Sequence, residues 1–176
     1  MDVMQTGTTT IGLVCSNGIV LAADRRATAG NFIVSKSISK IHAVAEDMAV
    51  TMAGTVSDAQ LLVKLIKAEV LLKNLRTGRK ASVKEVANLL AGMVYANIRR
   101  LSMIPGISHF LLGGKDSTGY YVYDLFADGS ITKVDDFISS GSGSVMAYGV
   151  LETLYTKDIT IEDGVKLAVK AVSAAL

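Results

Sequence analysis

Serine and glycine residues are concentrated in one short segment, where a hydroxyl nucleophile could be presented. Residues 139–144 have the sequence SSGSGS, and a serine in a glycine-rich turn is typical of the nucleophile of a serine hydrolase. That chemistry also requires a positioned general base. The chain has two histidines, His42 and His109, and neither has an obvious place beside these serines. The pattern alone favours a loop that offers backbone N–H groups and hydroxyls at the start of a helix.

A second segment, residues 113–117 with the sequence GGKDS, has some features of a phosphate-binding loop. However, His109 stands where the first glycine of such a loop belongs, and Asp116 stands where a serine or threonine should follow the lysine. We therefore expect a polar hairpin turn. Neither the histidines nor Cys15 has the spacing of a metal site, so we expect no metal and no cofactor.

Several chemically capable residues lie where predicted strands begin or end. Thr8 opens a run of β-branched residues, which in isolation is typical of an ordinary strand start. Asp24 and Arg26 follow an apolar strand, Lys40 comes directly before another, and Gly54 ends a third strand just before a helix. Together these neighbours favour a functional role for Thr8 over a purely structural one.

The hydrophobic pattern changes period along the chain and predicts strands, two helices, strands and two further helices. Turns are expected at Asn17-Gly18, a pair that tolerates positive φ angles, and at Glu46-Asp47. Segregated runs of this kind favour an α+β fold. We expect two antiparallel sheets stacked face to face, with a helix pair covering each outer side.

Capping motifs mark three of the predicted helix starts. They are Ser57-x-x-Gln60, Ser82-x-x-Glu85 and Thr160-x-x-Asp163. The first of these helices is expected to end at Gly78. Its apolar residues recur at helical spacing and include Leu61, Leu62, Leu65, Ile66, Leu72 and Leu75.

Composition narrows the classes of protein that the chain could belong to. Its 176 residues suit one domain, and 50% hydrophobic with 19% charged residues excludes a disordered chain. A net charge of +2 does not supply the basic surface of a nucleic-acid binder. No uncharged window is long enough to span a membrane, and residues 1–7 do not form a secretory signal. The single Cys15 favours a reducing cytoplasm.

Taken together, the motifs closely resemble those of a proteasome β subunit of the archaeal type. In chain order they are Gly7-Thr8-Thr9-Thr10, Ala23-Asp24-Arg25-Arg26-Ala27-Thr28, Ala53-Gly54 followed by Ser57-Asp58-Ala59-Gln60, Gly113-Gly114, and Gly141-Ser142-Gly143-Ser144 with Tyr148-Gly149-Val150-Leu151-Glu152. The resemblance covers the chain from Gly7 onward. It implies an N-terminal-nucleophile hydrolase with a four-layer αββα sandwich, in agreement with the predicted order of elements.

The resemblance also implies a specific chemistry, that of a threonine endopeptidase. Residues 1–7 would be a propeptide, removed by self-cleavage between Gly7 and Thr8, and residues 8–176 would form the hydrolase domain. The Thr8 hydroxyl would then attack the substrate carbonyl. The freed Thr8 amine, with a reference pKa near 8, would accept the proton.

Further roles follow from the same resemblance. Lys40 matches the lysine beside the nucleophile, Asp24 would pair with it, and Arg26 would brace the same loop. Gly54 would donate its N–H to the oxyanion, and Ser142 would bond near the threonine amine.

For substrate binding, the resemblance implies that Thr28 and Gly54 hold the peptide backbone as an added strand. The pocket for the residue before the cut would be lined by Ala27, Ile38, Met52 and Val56. Because these side chains are apolar, we expect hydrophobic residues to be preferred there.

The implied partners are other β subunits in a seven-membered ring, α-subunit rings, an ATPase regulator acting indirectly, and unfolded polypeptides as substrates. Two alternatives remain open at this point, a noncatalytic β subunit that serves ring assembly and a subunit of the bacterial two-tier threonine protease. Family members normally continue past the helix that ends at residues 173–176, through an aspartate and a Ser-Gly segment that assist the nucleophile. The sequence is therefore expected to stop short of the family's last strand.

Overall fold

The computed structural model describes residues 7–29, 32–103 and 105–176. Ten strands are described: β1 (Thr10–Cys15), β2 (Gly18–Ala23), β3 (Ala27–Ala29), β4 (Phe32–Ser35), β5 (Ile41–Ala45), β6 (Met48–Gly54), β7 (Ser108–Asp116), β8 (Gly119–Leu125), β9 (Ile131–Val134) and β10 (Phe137–Ser140). Four helices accompany them: α1 (Val56–Thr77), α2 (Val83–Ile98), α3 (Ser144–Leu154) and α4 (Ile161–Ala174).

Two antiparallel sheets form the centre of the molecule. One has the strand order β10-β1-β2, the other has the order β5-β6-β7-β8-β9, and β3 and β4 form a separate hairpin. Helices α1 and α2 pack on the five-stranded sheet, and α3 and α4 pack on the three-stranded one. The predicted α+β fold, an αββα sandwich, is confirmed.

The two sheets approach each other closely at glycine positions. A Cβ added to Gly12 of β1 would lie 3.0 Å from Val122, and one added to Gly113 of β7 would lie 2.8 Å from Ile19. In addition, one hydrophobic core lies between the five-stranded sheet and its helix pair, and another lies between the three-stranded sheet and its helix pair. The strand ends are therefore held at fixed positions by packing on both faces of each sheet.

Two local predictions were wrong in detail. The first hairpin turns at Ser16 and Asn17, with Cys15 opposite Gly18, and neither Asn17 nor Gly18 has a positive φ angle. Helix α1 begins two residues earlier than Ser57-x-x-Gln60 predicts. Its N-cap is Thr55, which makes no side-chain capping bond.

Three other helix boundaries agree with the sequence. Ser82 and Glu85 form the predicted capping box, and Thr160 accepts a hydrogen bond from the Asp163 N–H. Helix α1 ends at Gly78, whose φ of 67° is left-handed.

Helix α1 does not bury all the apolar residues assigned to its inner face. Leu62 and Ile66 are buried as expected. In contrast, four leucines of the predicted set are at least 40% exposed: Leu61, Leu65, Leu72 and Leu75. These leucines form a solvent-facing apolar stripe on α1, which is unusual for a helix packed on a sheet in an isolated domain.

Among the described residues, no helix is both long and apolar enough to cross a membrane. The same part of the chain brings no three His, Cys, Asp or Glu side chains together as a metal site.

Candidate active site

Residues at the ends of strands converge at one edge of the sandwich. Thr8 lies just before β1, and the Thr9 carbonyl accepts a hydrogen bond of 3.1 Å from the Asp24 N–H, just after β2. Lys40 lies just before β5, and its carbonyl accepts a bond of 2.9 Å from the Met52 N–H of β6. Backbone pairing therefore brings together groups that are far apart in the sequence.

Lys40 lies at the centre of this cluster. Its Nζ donates to Thr8 Oγ1 at 3.1 Å and to the Gly7 carbonyl at 3.0 Å. It also donates to both carboxylate oxygens of Asp24, at 2.8 and 2.9 Å. One ammonium group thus contacts a hydroxyl, the carbonyl of the preceding peptide bond and a carboxylate.

The Asp24 carboxylate is fixed by the backbone as well as by Lys40. Its Oδ1 accepts from the Thr9 N–H and its Oδ2 from the Arg26 N–H, both at 2.8 Å. The side chains of Asp24 and Lys40 are each only 3% exposed. Burial lowers the pKa of the Lys40 amine, and the adjacent carboxylate offsets part of that change.

The loop after β10 holds Thr8 from the other side. The Thr8 N–H donates to Ser142 Oγ at 3.3 Å, and the Thr8 carbonyl accepts from the Gly143 N–H at 3.2 Å. Gly141 has a φ of +93°, and a Cβ added there would lie 2.1 Å from the Thr8 carbonyl oxygen. Only glycine therefore permits this close approach.

A small pocket opens beside the nucleophile candidate. Thr8, Lys40 and Gly54 line it together with the four predicted apolar residues and two further alanines: Ala27, Ile38, Met52 and Val56, then Ala53 and Ala59. Gly54 ends β6 with a φ of +107°, and a Cβ there would lie 2.2 Å from the Ile107 carbonyl oxygen. The pocket therefore combines a hydroxyl, a cation and an apolar wall.

Gly7 is the one residue of the predicted propeptide that lies among the described residues. Its N–H donates to Thr28 Oγ1 at 3.0 Å. Arg26 contributes its backbone N–H to Asp24, while its guanidinium donates to the Leu176 carbonyl at 3.3 Å. Thr28 therefore contacts the residue before Thr8. Arg26 contacts the Lys40 cluster through its backbone N–H, which donates to Asp24.

Comparison with known proteins identifies the family. The family model described as "Proteasome subunit" matches residues 4–176. The chain belongs to the proteasome subunit family.

Related proteasome proteins refine the assignment. A proteasome subunit beta from Archaeoglobus profundus is 43% identical over 175 residues, which cover 99% of this chain and 80% of the relative. One from Methanocorpusculum labreanum is 44% identical over 173 residues, which cover 98% of this chain and 80% of the relative. Proteasome subunit beta 2 of Pyrococcus abyssi is 42% identical over 170 residues, which cover 97% of this chain and 79% of the relative. The chain is a proteasome β subunit of the archaeal type, as its motifs indicate, rather than the bacterial two-tier relative.

The proteasome β subunit also contains a hydrogen-bonded cluster of side chains that no motif in the sequence predicts. Ser140 Oγ and His109 Nδ1 are 2.7 Å apart, and His109 Nε2 is hydrogen-bonded to Asp124. Ser140 directly precedes the loop that holds Thr8. The contact between His109 and Ser140 depends on the stacking of the two sheets, so neither residue's neighbours along the chain reveal it.

Proposed function

We propose that the chain is a catalytic proteasome β subunit, a threonine endopeptidase that cuts unfolded proteins to peptides after removing its own residues 1–7. The observation that carries the proposal is the position of Lys40 Nζ, which contacts both Thr8 Oγ1 and the Gly7 carbonyl oxygen. A nucleophile and the carbonyl of the bond to be cut thus share one cationic donor. Such a donor stabilises the negative charge that develops on oxygen when the hydroxyl attacks.

The proposed self-cleavage is an intramolecular acyl transfer. Thr8 Oγ1 attacks the Gly7 carbonyl carbon, the carbon–nitrogen bond breaks, and the hydroxyl proton ends on the released Thr8 nitrogen. The product is an ester between Gly7 and the Thr8 side chain. Water hydrolyses the ester, which releases residues 1–7 as a carboxylate and restores the hydroxyl.

After this step, Thr8 would supply both nucleophile and base. Its free amine has a reference pKa of about 8, and the Lys40 charge beside it favours the neutral, proton-accepting form. Ser142 Oγ, 3.3 Å from the Thr8 nitrogen in the uncut chain, is placed to orient that amine. The Gly54 N–H would donate to the oxyanion, a contribution of about 10²–10³ in rate in other hydrolases.

In the proposed assembly, the subunit belongs to a seven-membered β ring that stacks with α rings in the cytoplasm. An ATPase regulator supplies this particle with unfolded chains. The exposed apolar stripe of α1, which includes Leu61, Leu65 and Leu75, supports burial against neighbouring subunits. Cys15 is a buried free thiol, which suits a reducing compartment.

The intact mass of the assembled particle tests the proposal. The subunit would be coexpressed with the α subunit of the same organism, purified as the ring assembly and weighed by mass spectrometry. We expect a species that begins at Thr8, together with hydrolysis of a fluorogenic peptide. An assembled particle that retains residues 1–7 and cuts no peptide would instead support a noncatalytic role in ring assembly.

The pocket predicts a preference for apolar residues before the cut. Ile38, Met52 and Val56 offer no partner for a charged side chain, whose burial without a partner is costly. Peptides with leucine or tyrosine at this position are expected to have a kcat/KM at least about tenfold above those with arginine or glutamate. Fluorogenic peptides that differ only at this residue measure the ratio. Faster cleavage after arginine or glutamate would contradict the assigned pocket.

A further inference from the structure

The hydrogen-bonded cluster formed by Ser140, His109 and Asp124 joins the two sheets close to the candidate active site. Ser140 ends β10 of the three-stranded sheet, whereas His109 lies on β7 and Asp124 on β8 of the five-stranded sheet. The side chains of His109 and Asp124 are 17% and 19% exposed, and Ser140 is 4% exposed. The cluster is therefore largely screened from solvent, which strengthens its hydrogen bonds.

The cluster has the residue types of a serine-hydrolase triad but not its arrangement. In such a triad the serine bonds to Nε2 and the aspartate to Nδ1. Here Ser140 is on Nδ1 and Asp124 is on Nε2. Ser140 also does not line the pocket beside Thr8, so it is not placed to attack a substrate bound there.

The hydrogen-bond directions follow from the chemistry of the groups. A carboxylate accepts only, so the Asp124 bond places the ring proton on Nε2 of His109. In the neutral ring, Nδ1 then accepts the hydroxyl proton of Ser140. The ring also packs edge-on against Phe126, with centroids 5.0 Å apart. His109 is thus held in one orientation by two hydrogen bonds and a ring contact.

On the five-stranded sheet, the backbone around His109 supports the turn at Gly54. In the β6–β7 register His109 is opposite Ala53, and Ser108 is opposite Gly54. The Thr55 N–H donates to the Ile107 carbonyl at 2.7 Å. The same strand end therefore carries both the His109 side chain and the backbone that holds the proposed oxyanion donor.

On the three-stranded sheet, Ser140 is continuous with the loop that holds Thr8. Ser140 is opposite Thr10 in the β1–β10 register, and the next residue, Gly141, lies directly against the Thr8 carbonyl. The Gly143 N–H and Ser142 Oγ make the two further contacts to Thr8. A displacement of Ser140 would thus move the groups that surround the nucleophile.

We propose that His109, oriented by Asp124, is a positioning residue that fixes Ser140, and through it the loop of residues 141–143, relative to Gly54. This role rests on the proposed function, because it sets the separation between the Thr8 nucleophile and the oxyanion donor. The three residues act through Thr8 and touch no substrate. Misplacement of reacting groups by about 1 Å can cost about 10²-fold in rate, so a link of this kind has a measurable effect.

The test compares Ser140→Ala and His109→Leu with Ser139→Ala in assembled particles. Ser139 is a matched control, since its buried hydroxyl lies on the same strand but donates to the Thr10 carbonyl instead of to the cluster. We expect the first two variants to lower kcat at least about tenfold with KM unchanged, and Ser139→Ala to stay within about twofold of wild type. The Ser140→Ala/His109→Leu double variant should lose no more activity than either single variant, because both substitutions break the same hydrogen bond.

A second measurement separates this proposal from the proposed function. Hydrogen exchange of the Gly143 and Ser144 amides should be at least about tenfold faster in Ser140→Ala and His109→Leu than in Ser139→Ala, whether or not the particle is active. If His109→Leu does not assemble, His109→Gln, which keeps one hydrogen-bonding partner, should give an intermediate result. Wild-type exchange and wild-type kcat in both cluster variants would overturn the proposal. An inactive wild-type particle with fast loop exchange in those variants would overturn only the proposed function.

Discussion

The Thr8→Ala variant is expected to assemble with residues 1–7 still attached and to hydrolyse apolar peptides at least about 10³-fold more slowly than the wild type. The same oxygen is proposed to attack the Gly7 carbonyl during self-cleavage and the substrate carbonyl afterwards. Its removal therefore blocks both reactions at their first step. Intact mass reports the first reaction and a fluorogenic peptide with leucine before the cut reports the second.

Thr10→Val is the matched control for this substitution. The Thr10 side chain is fully buried, and its hydroxyl makes no hydrogen bond within the described residues. Its replacement by an isosteric apolar side chain should leave processing and peptide hydrolysis within about twofold of the wild type, because no hydrogen bond is lost. Thr8→Ser keeps the attacking oxygen and should retain both reactions. Removal of residues 1–7 in the Thr8→Ala particle would refute the assigned nucleophile.

Lys40→Met should abolish self-processing and lower peptide hydrolysis at least about 10²-fold, because it removes the donor to both Thr8 Oγ1 and the Gly7 carbonyl. It should also destabilise the fold. The Asp24 carboxylate would remain buried without its cationic partner, which typically costs about 3 to 5 kcal/mol. Urea unfolding measures this loss against Thr8→Ala, which is also unprocessed.

The Lys40→Met/Asp24→Asn double variant distinguishes a chemical role for Lys40 from a structural one. The neutral amide at position 24 removes the unpaired buried charge, so much of the lost free energy of unfolding should return. Activity should not return with it, because no cation lies beside Thr8. Recovery of peptide hydrolysis together with stability would show that Lys40 only maintains the fold.

The residues that the structure brings together beside Thr8 could be singled out from the sequence because each one lies next to the end of a strand. Thr8, Asp24, Lys40 and Gly54 lie at or beside the borders of predicted strands, and such borders are visible without a structure. The start of α1 was placed incorrectly for a tertiary reason. The Thr55 N–H is bonded to the Ile107 carbonyl, so the helix begins directly after the turn at Gly54 whatever capping motif follows.

Contacts between the two sheets could not be predicted from the sequence. His109 and Ser140 are 31 residues apart and meet only because β7 and β10 lie in stacked sheets. Similarly, α1 has apolar residues around most of its circumference, and only packing on the sheet decides which of them are buried. Local periodicity contains no information on either outcome.

The direction in which Gly7 faces would separate the proposed self-cleavage of this subunit from its proposed choice of substrates. A side chain at position 7 would point toward Thr28 Oγ1, 3.6 Å away, and Ser142 Oγ, 3.9 Å away, instead of into the pocket of Ile38 and Met52. In the proposed self-cleavage, residue 7 would therefore react without a side chain in that pocket, because the covalent link places its carbonyl beside Thr8. Under the proposed function, substitutions that reshape the pocket would change which peptides are cut without changing self-cleavage, so the two properties would be free to evolve independently.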